Sequence, residues 1–262
     1  MVVIWVLGAA VAGASLRSGR AEVDWISATS TYEPGKVVQT AVRLVIDAGW
    51  HSYWENPGEA GMQTSVKWEL PAGWVADDLE YPLPQRFESA GVVGFGYTGT
   101  VMFPVKLTAP VGFRGMAQLK VKVSWLTCDD DTCVPGNAGL VLTLEEGAPV
   151  LTPAAPLIDQ ALLTVPRMRS AWEVLEVLED KGFLSLKVPV GGAPQPDLAG
   201  CEIFPATVGV IDARHGIRFS RSGDAWLARV PKGEYAPAPV RELRLVAVPK
   251  NGPPGVLYWK IR

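Results

Sequence analysis

An all-β architecture of two β-sandwiches in tandem is what this sequence predicts, and three observations carry the expectation. Short runs alternate apolar with polar or small residues, the period of a strand with one buried face. Turn signals recur between the runs, among them Pro34-Gly35, Asn56-Pro57-Gly58, Pro71-Ala72-Gly73 and Val111-Gly112. The composition agrees, because 27 Gly, 22 Pro and 10 Trp, with frequent Val and Thr, suit short strands joined by turns better than helices. The chain has 262 residues, long for one β-domain and comfortable for two. At 48% hydrophobic and 19% charged it can bury a core and lacks the composition of a disordered chain. A net charge of −3, with Lys and Arg scattered, offers no surface for nucleic acid.

The elements follow in order. Val2 to Ala14 is an apolar run ending in Ala12-Gly13-Ala14, the pattern of a secretory h-region and its small-residue cleavage site, so residues 1–21 are expected to be a signal peptide. No later segment reaches ~18 uninterrupted apolar residues, so no membrane span is expected. Export puts the mature chain in an oxidising compartment where disulfides persist. Residues 22–146 form the first expected sandwich, with strand runs at Val37–Ile46, Val101–Leu107 and Leu119–Trp125. Residues 147–169 read as a linker: Gly147 to Pro156 is rich in Pro and Ala, and Leu157 to Arg169 suits one short helix. Residues 170–262 form the second expected sandwich. Its strand runs are Phe183–Val188, Thr207–Ile211, Ala225–Val230, Leu243–Val248 and Val256–Ile261.

Cys128 and Cys133 bracket a tight acidic turn, Asp129-Asp130-Asp131-Thr132. In the run leading in, Val121, Val123 and Trp125 define a core face, while Lys120, Lys122, Ser124, Leu126 and Cys128 share the other. A regular strand therefore points Cys128 away from the core and near the surface. An antiparallel return through Cys133 sets opposed Cα atoms roughly 4.5–5.5 Å apart, within reach of a disulfide. Two uses of such a bond are open. A structural staple is common in exported proteins, yet closing so short a loop stabilises by about 2–3 kcal/mol or less. A redox site is the other use. Carboxylates at Asp129, Asp130 and Asp131 disfavour a thiolate and raise both thiol pKa values, although Asp is also a common turn former. On the residues alone the two uses balance.

The remaining candidates are weaker. His51 and His215 are the two histidines, and no His/Cys cluster has zinc spacing. A copper site at the soft cysteine ligands is the one metal reading left open. His51 sits amid Trp50, Tyr53 and Trp54, where packing or a backbone bond is expected. Cys201 reads as a buried free thiol. No Ser/His/Asp arrangement, phosphate loop or nucleotide fingerprint is present, so no cofactor is expected.

Six segments in order then resemble one family. They are Trp50–Gly61, Leu70–Trp74, Tyr81–Phe87, Gly94–Gly99, Phe103–Leu107, and Trp125–Cys128 with Cys133–Gly136. The stretch resembles the N-terminal periplasmic domain of the DsbD family of thiol–disulfide interchange proteins, in particular the branch that includes ScsB, a copper-sensitivity suppressor. The resemblance implies an immunoglobulin-like sandwich whose redox pair is Cys128 and Cys133. It implies that the Gly94–Gly99 loop shields that pair, with Phe95 or Tyr97 as the cover, and that the second block is the additional β-domain of the ScsB-like branch. It implies a periplasmic protein that takes electrons from a thioredoxin-like donor fed by a membrane electron-transfer protein. Its clients would be periplasmic disulfide-containing proteins, among them oxidative-folding isomerases and cytochrome c maturation factors. Two departures stand out. Val92 and Val93 occupy positions where better-known members carry acidic residues, so no acid/base role transfers there. The 262 residues hold neither a membrane nor a thioredoxin segment, so the chain is expected to work with separate subunits, to have lost the pathway, or to be a fragment of a longer gene product.

Overall fold

The computed structural model describes residues 15–168, 175–190, 197–252 and 254–260. Strands are numbered along the chain. The hairpin that ends in the two cysteines sets the frame of the first unit. Its first arm, β11 (Ala117–Cys128), buries Ala117, Leu119, Val121, Val123 and Trp125 and exposes Gln118, Lys120 and Lys122, as alternation requires. Its second arm, β12 (Cys133–Glu146), returns in continuous antiparallel register from Cys128↔Cys133 to Ala117↔Leu144. Gly136 lies opposite Trp125, and a Cβ there would sit 2.3 Å from the indole. Only glycine at that position lets Trp125 fill the core.

Among the described residues the first unit has three sheets, one of them containing this hairpin. One runs β1 (Leu16–Ser18), β2 (Ala21–Ser27), β4 (Val37–Ile46), β10 (Thr100–Thr108) and β7 (Val75–Ala76). The second runs β3 (Thr31–Tyr32), β12, β11 and β6 (Ser65–Glu69). Their inward residues, such as Trp25, Val42, Leu44 and Phe103 from one and Leu119, Val121 and Trp125 from the other, form a single apolar cluster. The third sheet, β5 (Ser52–Gly58), β9 (Val92–Tyr97) and β8 (Gln85–Ser89), stands apart and carries the cover of the cysteines. The register of β5 shifts between Tyr53 and Gly58, where Pro57 lacks an N–H donor. Gly58 has φ +95° and passes so close to Val93 that an added Cβ would meet its carbonyl oxygen at 2.4 Å.

The expected leader falls mostly on residues 1–14, outside the described residues. Leu16–Ser18, at its end, already pairs with β2 as an edge strand. The linker helix forms but sits upstream of its expected span. α1 covers Ala155–Thr164, because Pro156 is favourable in a first turn and Pro166 cannot continue a helix. Its Ile158 is fully buried against Ile26 and Ala41.

Apart from a 3-10 turn at Leu198–Gly200, the regular elements described in the second unit are strands. One sheet is β13 (Arg167–Met168), β20 (Gly255–Lys260), β19 (Glu242–Pro249) and β16 (Cys201–Pro205). The other is β14 (Glu176–Asp180), β15 (Phe183–Pro189), β18 (Ala225–Pro231) and β17 (Ser220–Ser222). Four of the five expected runs are strands here. Thr207–Ile211 is not: it turns at Gly209, which has φ +72°, and only Ile211 makes an isolated bridge, to Lys232.

The two units do not have fully separate cores. Phe204, Ala206, Ala213, Val246 and Val256 of the second unit belong to the apolar cluster of the first. Arg167 of β13 pairs with Glu80 at 2.6 Å, and further polar contacts between units fall on the third sheet and the turn after β5. Asn56 Nδ2 donates to Pro205 O at 2.7 Å. Arg86 donates to Ala213 O at 2.6 Å and Arg214 O at 3.1 Å. Arg244 pairs with Glu55, and Arg214 lies 3.6 Å from Glu59. The second unit thus braces the strands that lie over the cysteines.

Candidate functional site

Cys128 and Cys133 form a disulfide, with Cα atoms 4.1 Å apart. The ladder explains how it fits. Both backbone groups of Cys128 bond to His51 on β5's side, N–H to O at 3.0 Å and O from N–H at 2.9 Å. Cys128 and Cys133 are therefore the non-hydrogen-bonded kind of antiparallel pair, in which side chains come closest. Cys133, Cys128 and His51 form one row across three strands, with all three side chains on the same face.

That face is not at the surface. Alternation does turn Cys128 away from the sandwich core, but the third sheet lies on that side and leaves Cys128 2% exposed. Cys133, at the start of β12, is exposed. The two residues therefore meet solvent very differently, which the strand pattern of one hairpin could not foretell. A cavity of about 190 Å3 beside the bond is lined by the pair, His51, Tyr53, Phe87 and the acidic turn. Phe87 of β8 stacks on the His51 ring at a centroid distance of 4.1 Å. Gly94 on the neighbouring strand makes room for it, since a Cβ there would lie 2.4 Å from the Phe87 ring.

Phe95 and Tyr97, the expected covers, point the other way. Along β9, Val92 and Gly94 line the disulfide cavity, while Val93, Phe95 and Tyr97 enter the core. Phe95 packs on Trp54 and on Phe204 of the second unit, and Tyr97 donates to Pro82 O at 2.8 Å. The residue in the covering position is Phe87, which ends the Tyr81–Phe87 segment. Its signal was the alternation of Arg86, Phe87, Glu88 and Ser89 into the tight turn Ala90-Gly91, both with positive φ as a two-residue hairpin demands.

The acidic turn has divided duties. Asp129 Oδ1 accepts from the N–H groups of Asp131 at 3.0 Å and Thr132 at 2.7 Å, and these bonds hold its carboxyl below the usual range. Asp130 accepts from Ser89 Oγ at 2.8 Å, tying the turn to the tip of the cover. Asp131 is exposed on the cavity rim. Burial pushes the His51 imidazole below its usual pKa, against the raising pull of Asp130 and Asp129. Its Nε2 lies 3.2 Å from Tyr53 Oη.

Cys201 is half-buried and lies outside this cavity, with its Sγ 3.4 Å from Asp197 O. Burial, then Asp197, pushes its thiol pKa up. Among the described residues no three His, Cys, Asp or Glu side chains are grouped to hold a metal ion, so the copper reading rests on the cysteine pair alone. Among them, too, no helix is long and apolar enough to cross a membrane.

The N-terminal periplasmic domain of ScsB from Proteus mirabilis has the same fold: TM-score 0.68, 20% identity, covering 92% of this chain and 93% of that one. No curated protein matches. The family model described as thiol:disulfide interchange protein DsbD, N-terminal, matches residues 22–145, from β2 through the cysteine hairpin. The segment that resembles the DsbD N-terminal family is thus the one closed by the Cys128–Cys133 bond.

Proposed function

We propose that the chain is a periplasmic carrier that passes two electrons at a time between thiol–disulfide partner proteins through Cys128 and Cys133. The observation that carries this reading is the asymmetry of the pair: one sulfur on an exposed residue, the other buried under a cover. A partner thiolate attacks Cys133 Sγ, the S–S bond breaks, and Cys128 leaves as a thiolate that takes up a proton. The partner's second thiolate then attacks its own sulfur in the mixed disulfide and releases Cys133. The partner departs oxidised and the chain holds two thiols. With an oxidised client the same steps run in reverse. The donor is a thioredoxin-like protein fed by a membrane electron carrier, and the clients are periplasmic proteins with disulfides.

Two physical points support exchange over a staple. The bond closes a sequence separation of 5, worth about 2–3 kcal/mol or less, in a unit already held by a large apolar cluster. The carboxylates of Asp129, Asp130 and Asp131 disfavour a second negative charge beside them, which slows reaction of the reduced pair with casual oxidants and leaves it for docked partners. The test uses a Cys201→Ser background and a reduced thioredoxin-fold protein as donor. Acid quenching after the donor reaction, then alkylation of the denatured chain, is expected to find both cysteines reduced. A Cys128–Cys133 bond left intact by the donor would mark a staple.

A further inference from the structure

We propose that His51 is the general base for Cys128 in the step that re-forms the disulfide and, once protonated, its proton donor in the reverse step. This rests on the exchange reading above. Cys128 is the buried partner, so its thiol cannot lose a proton to bulk water while the cover is closed. His51 is its direct cross-strand neighbour, joined by both backbone hydrogen bonds, with the side chain on the same face. Cβ atoms in such a pair lie roughly 4.5–5.5 Å apart, and both side chains line one cavity.

The ring is held in place. Phe87 stacks on it at 4.1 Å and Tyr53 Oη meets Nε2 at 3.2 Å. In the working tautomer Nε2–H donates to Tyr53, which leaves the Nδ1 lone pair for the thiol proton, directly or through one water. Burial keeps the imidazole neutral near pH 7, ready to accept. Asp129 and Asp130 favour the imidazolium that forms. Tyr53 and Asp131 are the other titratable groups of the cavity, and the β8–β9 hairpin contributes none among its described residues.

The balance is simple. In a mixed disulfide on Cys133, the Cys128 S–H gives its proton to His51 as the sulfur attacks Cys133 Sγ. The Cys128–Cys133 bond forms, the Cys133–partner bond breaks, and the partner leaves as a thiolate. The imidazolium then gives its proton to solvent.

The test is a single turnover of the reduced full chain, in a Cys201→Ser background, with dithiobis(nitrobenzoate). Cys133 attack releases a first nitrothiolate and Cys128 resolution a second. For His51→Gln the first phase is expected to keep its rate and the second to slow about 10²-fold, the low end of general-base contributions. In the wild type the second phase should rise with pH through a break below about pH 6.5 as His51 becomes neutral. The variant should lose that break, and added imidazole should recover part of its rate. A His51→Gln second phase with the wild-type rate and profile overturns the proposal. Should that variant fail to fold, a wild-type profile that follows thiol ionisation alone, with no acid-side break, overturns it equally. Absence of the first phase in the wild type removes the exchange reading itself, and this inference with it.

Discussion

Cys128→Ser is expected to stall the chain in a covalent complex with its partner, and Cys133→Ser to end exchange altogether. The difference follows from exposure. Cys133 is the sulfur a docked thiolate or disulfide reaches, while Cys128 lies 2% exposed behind Phe87 and His51. Without Cys133 a partner has no accessible sulfur to attack. Without Cys128 the mixed disulfide on Cys133 forms but has no internal thiol to resolve it, and it accumulates. Both variants lose the same cross-link, so both should lose similar stability, about 2–3 kcal/mol or less. Non-reducing electrophoresis of each variant mixed with an oxidised thioredoxin-fold protein in a Cys201→Ser background reads the outcome. A complex captured through Cys128 in the Cys133→Ser variant, with none in the converse variant, would reverse the assignment.

Phe87→Ala is expected to open the site to small thiols. The ring covers the cavity from one side and packs on His51 and Tyr53. Full burial of a Phe side chain is worth about 1.5–3 kcal/mol, and Phe87 is half-buried. Losing about half of that lowers the cost of lifting the cover by about 0.8–1.5 kcal/mol, a factor of about 4 to 13 in rate. Reduction of the Cys128–Cys133 bond by dithiothreitol should quicken by that factor, while Phe95→Ala should act on folding stability instead, because Phe95 lies in the core. Gly94→Ala offers a second route to the same effect, since its Cβ would displace the Phe87 ring. Equal reduction rates in Phe87→Ala and wild type would mean that the ring does not gate the bond.

The strands were more legible in the sequence than the site. Val121, Val123 and Trp125 marked the core face of β11 because both sides of that strand are settled by its own alternation. The burial of Cys128 was not legible. It depends on His51 pairing with Cys128 from a distant part of the chain, and no local period encodes which sheet lands on a face. The cover illustrates the same limit. Gly94-Phe95-Gly96-Tyr97 draws the eye to its aromatics, yet the glycine face is the one pressed against Phe87 and Ser52, and the aromatics fill the core. His51 looked like a packing residue when read among Trp50, Tyr53 and Trp54. It packs, and only the row across three strands sets it beside a cysteine. The helix was displaced by proline chemistry. Thr207–Ile211 has the composition of a strand, but Gly209 turns the chain there and Thr207 Oγ1 accepts from Arg244 N at 2.8 Å.

The central claim is that the Cys128–Cys133 bond is made and broken in use. Its reduction potential tests this most directly, measured by equilibrating the full chain, in the Cys201→Ser background, with graded thiol–disulfide buffers. The account predicts a value above about −300 mV, within reach of thioredoxin-like donors. A value well below that would mark a structural bond and contradict the account.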